Sequence, residues 1–599
     1  MDPTPPTTTA RPRRLVPVAI ATAVVALLAL MLAFGRTQRR EPGLTEDQAK
    51  YLQDVEHLGG FVFGDLCLPK FAEALASDNR DDLMVMVSSG FTGAWLLDQD
   101  HPETKQIRGP VTATQRQRDG TDTKQANCDQ AEFIEWLLEQ RRQFTTLDST
   151  EAKLKRMQPT SPGQLDGTWD GTLLLRMAGE TAGGRIRETR IELACRLDGI
   201  SEELPKRRGW FTRLSVMRID IVESDAVLME EMTEETGIDV GRLQDNWLGV
   251  TGPQTPALTG GVYLADYDGD QHVDCLLTDI KGLALYRGLG EGRFEEVTAA
   301  VGLPKEFNDL QAAWGDFDND GDPDLVLGRR LYRNDRNDRN DRGDSTEQPG
   351  GGRVRFTRMA TIDTGLDLED SVGFAVADVD LDGRLDLYVV GIGQRTSGQK
   401  WIGTNDSNRN QLWHNDGNLH FSDVTASSGT VGRGTSTFAA VFFDANGDGH
   451  PDLMTACEFG RNDFWLGNGD GTFVEAELPE IYGGFSMGLT VGDIDNDGFA
   501  DPYLANMYSK AGERVVANLP SGIYQPDVDR KLRDFVAGSD LYHNNHNTGE
   551  GFKRIGRTAG VADVGWAYGP AYVDLDNDGL LDLYAPCGFQ SVSRKRPDG

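Results

Sequence analysis

The chain has 599 residues, 38% of them hydrophobic, with 95 Asp and Glu against 60 Lys and Arg and a formal net charge of −35. That length can bury a large core or a repeat array, and the acid excess excludes nucleic acid as a partner, because a phosphate backbone is held by surplus Lys and Arg. With 70 glycines and an aromatic content of 8%, the composition favours a turn-rich folded β protein over a disordered one.

The first element is "LVPVAIATAVVALLALMLAF", residues 15–34, an uncharged run long enough to cross a bilayer as a helix and longer than a signal-peptide core. It is expected to be an uncleaved anchor. Arg11, Arg13 and Arg14 on one side and Arg36, Arg39 and Arg40 on the other leave the positive-inside rule undecided. The expected organisation is a cytoplasmic tail (1–14), the anchor (15–34), an extracytoplasmic α+β domain (35–225) and a β-propeller (226–599).

Within 35–225, Thr45 with Gln48 reads as a capping box, and "DQAEFIEWLLEQ" from Asp129 predicts an amphipathic helix. Strand-like runs follow at "GTLLLRMAG" from Gly171, "ETRIELACRL" from Glu188 and "RLSVMRIDIVES" from Arg213. Helices before an antiparallel meander make an α+β domain, which in this pattern resembles the NTF2-like cone fold. The six cysteines form no CxxC pair, so a zinc ribbon and a thioredoxin-like motif are excluded.

From Asp266 onward one motif recurs six times: "DYDGDQHVD", "DFDNDGDPD", "DVDLDGRLD", "DANGDGHPD", "DIDNDGFAD" and "DLDNDGLLD". Positions 1, 3, 5 and 9 are Asp266, Asp268, Asp270 and Asp274; Asp316, Asp318, Asp320 and Asp324; Asp378, Asp380, Asp382 and Asp386; Asp444, Asn446, Asp448 and Asp452; Asp493, Asp495, Asp497 and Asp501; Asp574, Asp576, Asp578 and Asp582. Alternate residues of a tight loop can aim their oxygens at one hard cation, and Ca²⁺ wants six to eight of them. Position 6, Gly in five of the six copies, supplies the sharp turn. Position 7 is His272, Asp322, Arg384, His450, Phe499 and Leu580, a variety that fits a ligand supplied by the backbone carbonyl.

An EF-hand would need Glu at position 12 and flanking helices. Position 12 here is Leu277, Leu327, Val389, Thr455, Leu504 and Ala585, and the flanks "DLVLG", "DLYVV" and "DPYLA" read as strands. Downstream of most loops lie pieces such as "LYRND" and "LWHND", then "FEEVTAAVGL" or "FSDVTASSG". Each unit therefore predicts four antiparallel strands, one propeller blade. Six blades are expected, with seven as the alternative. "MEEMTEETGI", residues 229–238, matches "FEEVTAAVGL" in type, and is expected to supply the outer strand of the last blade.

These units resemble the FG-GAP or VCBS repeats of the integrin α-subunit propeller superfamily, and the "LYRN…F…VT" pattern is similar to bacterial relatives of cartilage acidic protein. The resemblance covers about residues 226–590. It implies a Ca²⁺-stabilised propeller, with up to six ions, that binds proteins or glycans outside the cell. Gln271 departs from the turn glycine and Asn446 loses one charge.

No catalytic residue is assigned. "GFSMG", residues 484–488, fits the nucleophile-elbow pattern, but Gly488 precedes Asp493 as Gly373 precedes Asp378, which places Ser486 in an inner blade strand. His414 and His543 fill the slot of Arg333 and read as structural. The expected function is a membrane-anchored, calcium-binding recognition module, single-pass with its bulk periplasmic or at the cell surface, for an unknown surface protein or glycan. The alternative is an extracytoplasmic polysaccharide lyase or hydrolase on the same scaffold.

Overall fold

The computed structural model describes residues 44–96, 103–117, 125–244, 260–304, 310–336, 354–368, 371–391, 410–458 apart from 433 and 435, 461–476, 485–508, 510–519, 522–545 and 551–587 apart from 566. The expected anchor, 15–34, lies outside them. Among the described residues no helix is long and apolar enough to cross a membrane. The chain forms two compact units. One comprises residues up to Glu230 together with Lys510–Asp529, and the other comprises Glu231–Ser509 with Arg530–Gly599. A contiguous division at 225/226 does not anticipate the transfer of residues 510–529 to the first unit.

In the first unit, helix α1 (Glu46–Glu56) begins at Thr45, whose Oγ1 accepts from the Gln48 N–H at 3.2 Å while Gln48 Oε1 accepts from the Thr45 N–H at 2.9 Å, the reciprocal cap read in the sequence. A π-helical stretch (His57–Cys67) leads to α2 (Leu68–Ala76) and α3 (Arg80–Met86). Helix α4 (Gln130–Arg141) is capped by Asp129 and buries Phe133, Ile134, Leu137 and Leu138. The helices accompany one eight-stranded sheet of β1 (Val87–Leu96), β2 (Glu103–Arg108), β3 (Val111–Gln117), β4 (Gln125–Cys128), β5 (Phe144–Pro159), β6 (Thr168–Thr181), β7 (Ile186–Asp198) and β8 (Phe211–Ser224). Its order is β2-β3-β8-β7-β6-β5, with β1 parallel to β8 and antiparallel to β4. The three predicted strands are β6, β7 and β8. Their period-two burial, for example Ile191, Leu193, Cys195 and Leu197 on β7, puts one face into the core.

Residues 510–529 complete this unit. The helix Lys510–Ala517 packs on α1 and β5. Arg514 Nε donates to Glu56 Oε2 at 3.0 Å and its Nη2 pairs with Glu56 Oε1, both side chains being almost fully buried. Asn518 Nδ2 donates to the Met157 carbonyl at 3.2 Å. Gly60 makes room for the pair, since a Cβ there would lie 2.2 Å from Glu56 Oε1.

The second unit contains five four-stranded antiparallel sheets among the described residues. Blade one is Val262–Ala265, Asp274–Asp279, Gly282–Gly288 and Phe294–Glu296. Blade two is Ala312–Gly315, Asp324–Leu327, Arg330–Asn334 and Phe356–Arg358. Blade three is Ser371–Ala377, Asp386–Gly391, Gln411–Gly417 and His420–Asp423. Blade four is Thr437–Phe443, Asp452–Cys457, Phe464–Gly467 and Phe473–Glu475. Blade five is Ser486–Gly492, Asp501–Asn506, Asp540–Asn544 and Phe552–Arg554. The second strand of each is buried along its whole length, which accounts for its unbroken apolar reading.

The blade count corrects the expectation of six or seven. The sixth loop, Asp574–Asp582, joins only a two-stranded pair, Ala571–Val573 with Asp582–Tyr584. The segment expected to be its outer strand is instead a helical turn, Thr233–Thr236, closed by Gly237 in the left-handed region at φ 84°. The alignment of that segment with the repeat nevertheless has a counterpart in space. A Cβ at Gly237 would meet the Phe294 carbonyl oxygen at 2.8 Å, as one at Gly365 would meet that of Phe421 at 2.5 Å and one at Gly429 that of Phe473 at 2.8 Å. Gly365 and Gly429 end the turn after one blade's outer strand and touch the outer strand of the next, and Gly237 touches that of blade one in the same way.

Gly429→Ala should therefore pay for both a left-handed alanine and a backbone clash, a loss of about 2–3 kcal/mol. Gly560, the same turn in blade five, has no atom within 4 Å of its Cβ position among the described residues. Gly560→Ala should lose only about 1 kcal/mol, and urea midpoints of the two variants check the difference.

Candidate metal centre

The six acidic loops share one backbone. In blade two, Asp316 accepts the N–H of Asp320 at 3.1 Å and of Gly321 at 2.9 Å, and Asp320 accepts that of Asp322 at 2.9 Å. Asp324 accepts the N–H of Phe317 at 3.1 Å and reaches strand three, accepting that of Asn334 at 2.8 Å. The first-position bonds recur at Asp266, Asp378, Asp444, Asp493 and Asp574. The ninth-position bonds recur at Asp274, Asp386, Asp452 and Asp501. Asp582 accepts the N–H of Leu575 in the same way.

Oxygens of Asp266, Asp268 and Asp274, of Asp316, Asp318 and Asp320, and of Asp378, Asp380 and Asp386 lie within 4.8 Å of one another in each set. Asn446 keeps its place in the blade-four loop, where its Oδ1 accepts from the Asp448 N–H at 3.0 Å. At position 7 the N–H of His272, Asp322, Arg384, His450, Phe499 and Leu580 is bonded to the position-5 carboxylate, while the side chains go separate ways. The Asp322 carboxylate pairs with Arg336 and Arg384 pairs with Asp382.

Two left-handed residues shape each loop, where sequence reading expected one. Position 6 includes Gln271 at φ 70° beside glycines such as Gly321 at φ 93°. Position 4 is also left-handed, through Gly269, Asn319, Leu381, Gly447, Asn496 and Asn577. Glycine and asparagine tolerate that region, and their recurrence was the available signal. Leu381 carries the strain without such help.

Packing carboxylates together and burying them disfavours their charge. Burial, partly offset by the N–H donors, pushes Asp274 up to about 7, Asp324 to about 8, and Asp386 and Asp452 to about 6.

Strand three adds a charged or titratable residue beside four of the loops. Arg287 and Arg333 act on Asp268 and Asp318 as nearby positive charges. In blade three, His414 Nε2 stands 3.0 Å from Asp380 Oδ2, and in blade five, His543 Nε2 stands 2.9 Å from Asp495 Oδ2. Burial works against a charged His414, but Asp416, Asp386 and Asp380 outweigh it and raise its pKa. Both histidines thus border the loops, a position the structural or solvated reading of the sequence did not specify. The next residue ties adjacent blades together. Asn334, Asn415 and Asn544 donate to the carbonyls of Tyr267, Phe317 and Ala445, each in the preceding loop, at 2.9, 2.8 and 2.8 Å.

Outside the loops, Ser486 is fully buried, its Oγ donating to Asn506 Oδ1 at 2.6 Å on an inner strand, and does not stand on a strand-to-helix turn. All six cysteines are free thiols.

Five stacked four-stranded blades with acidic loops between their first two strands define an all-β propeller. Residues 266–327, 401–455 and 444–503 match the FG-GAP-like repeat, and the chain carries FG-GAP repeats at those three places. FG-GAP propellers are recognition- or adhesion-type modules and typically non-enzymatic. No curated protein matches the chain. Among solved structures, one titled for specific recognition of non-reducing terminal N-acetylglucosamine by an Agrocybe aegerita lectin is 13% identical over 70% of this chain and 93% of that one, with a TM-score of 0.28. The V. cholerae biofilm matrix protein Bap1 is 14% identical over 43% of this chain and 36% of its own, at 0.24. The Photorhabdus luminescens Tc holotoxin pore is 15% identical over 66% and 15%, at 0.25. These scores are too low to carry a fold or a ligand to this chain.

Proposed function

We propose that the chain is a membrane-anchored, extracytoplasmic recognition module whose propeller is held by Ca²⁺ in its acidic loops and binds a surface protein or glycan. The reading rests on the donor set. In blades one, two and four, positions 1, 3, 5 and 9 offer oxygen donors alone, the chemistry of a hard cation. The strained backbone of each loop is spent on bringing like charges together, an arrangement that repels by about 1 kcal/mol per pair at 4 Å even in water unless a cation joins it. Asp266, Asp316 and Asp444 with their partners at positions 3, 5 and 9 would hold the ion. Residues 15–34 support the anchor, and extracellular calcium modules work near 10⁻⁴–10⁻³ M, above cytosolic free Ca²⁺, which supports placing the bulk outside.

A melting experiment on the full chain tests the metal. Each site loaded to about 100 times its Kd adds about 2.7 kcal/mol, so chelation is expected to lower Tm by many degrees and Ca²⁺ to restore it. An unchanged Tm would sink the assignment. Ligand capture from glycan and surface-protein arrays, lost with chelator and without product formed, tests the recognition role.

A further inference from the structure

Blades three and five differ from the others in what strand three brings to the loop. The slot holds arginine in blades one and two, Arg287 and Arg333, and leucine in blade four, Leu466. It holds His414 and His543 in the remaining two.

The orientation of His543 is fixed from outside the loop. Asn545 Nδ2 donates to the Gly551 carbonyl at 3.3 Å, which turns Asn545 Oδ1 toward His543 Nδ1 at 3.1 Å. An amide oxygen only accepts, so Nδ1 carries a proton, and Nε2, 2.9 Å from Asp495 Oδ2, holds either a second proton or a cation. His414 repeats this, with the Asp416 carboxylate at 3.0 Å from Nδ1 and Asp380 Oδ2 at 3.0 Å from Nε2. Two acceptors in contact require a positive species between them. A carboxylate or amide holding the far nitrogen of an imidazole is also how metal-ligating histidines are oriented. A ring nitrogen of His414 and one oxygen each of Asp380 and Asp382 lie within 4.8 Å of one another, as do those of His543, Asp495 and Asp497, and His414 Nε2 is 3.8 Å from Asp382 Oδ2.

We propose that the loops of blades three and five are mixed imidazole–carboxylate sites that take a borderline divalent cation of the Zn²⁺ class in preference to Ca²⁺, with Asp380, Asp382 and His414 as donors in one and Asp495, Asp497 and His543 in the other. Imidazole suits Zn²⁺ and its neighbours, whereas Ca²⁺ takes oxygen. Blades one and two offer no imidazole in that slot, only a guanidinium that cannot ligate a metal. In blade three Arg384 already pairs with Asp382 and must release it, while blade five has Phe499 at that position, so blade five is the tighter site. The inference rests on the loops being cation sites, and it assigns two of them a different cation.

The test is calorimetric titration of the full chain with Zn²⁺ in excess Ca²⁺, with Co²⁺ absorption as a second readout. Two His-dependent sites are expected. His543→Gln should remove the tighter, His414→Gln the weaker, and Asn545→Ala should weaken the blade-five site about 10–100-fold by freeing the imidazole. The Ca²⁺ response of the melting temperature should survive in all three. Zn²⁺ uptake that is absent, or unchanged by both histidine replacements, overturns the proposal and leaves a proton on Nε2 as the positive species. His-dependent uptake in a chain whose melting ignores Ca²⁺ would instead overturn the calcium reading and leave this one standing.

Discussion

Asp324→Ala is expected to destabilise the propeller by about 3–5 kcal/mol and to shift its urea midpoint accordingly. Asp324 is fully buried and accepts two backbone N–H groups, one from Phe317 in its own loop and one from Asn334 on strand three. Alanine leaves both donors without an acceptor, at about 1–3 kcal/mol each. Asp324→Asn separates architecture from metal binding. Its single carbonyl oxygen keeps one N–H satisfied, so the metal-free protein should lose only about 1–2 kcal/mol. The charge is gone, and the blade-two contribution to Ca²⁺ stabilisation should go with it. If the asparagine variant gains from Ca²⁺ as the parent does, position 9 is architectural alone.

Glu56→Ala should cost the first unit about 3–5 kcal/mol, because it strands the Arg514 guanidinium in a buried setting. Burial raises the pKa of Glu56, and the hydrogen bond and charge of Arg514 pull it back down. The pair is thus a compensated cost more than a source of stability. Glu56→Leu combined with Arg514→Met should come close to the parent, as buried pairs replaced by apolar residues usually do. A double variant no better than Glu56→Ala would show that Arg514 acts through its guanidinium bond to the Leu154 carbonyl and not through the pair. Chemical denaturation followed by tryptophan fluorescence reads all three, with Trp169 wholly inside that core.

Where information was local, the sequence was legible. The acidic-loop spacing, the strand after each loop and the caps at Thr45 and Asp129 all depend on residues within a few positions of one another. The role of His414 was not, because Asp380 lies 34 residues away on another strand and only the pairing of strands two and three brings them together. Strands β1 to β5 lack clean alternation; β5 carries Lys153, Lys155 and Arg156 within one span, and its register with β6 slips three times. The sixth blade was overcounted because its acidic loop is complete, from Asp574 to Asp582, while only two strands accompany it among the described residues. Residues 229–238 matched the repeat by type, and the match was real for the turn at Gly237 and wrong for a strand.

The membership of residues 510–529 in the first unit reverses the ordinary schedule of synthesis. Most domains fold as they leave the ribosome, the amino-terminal one first. Here Glu56 is made early, and its partner Arg514 emerges only after about 300 further residues beyond Glu230 have been translated, about 15–60 s later at common elongation rates. Through that interval the nascent first domain holds a carboxylate in an apolar setting and an unfilled helix seat beside β5. The first unit therefore cannot complete its core until every strand of blades one to four has been made.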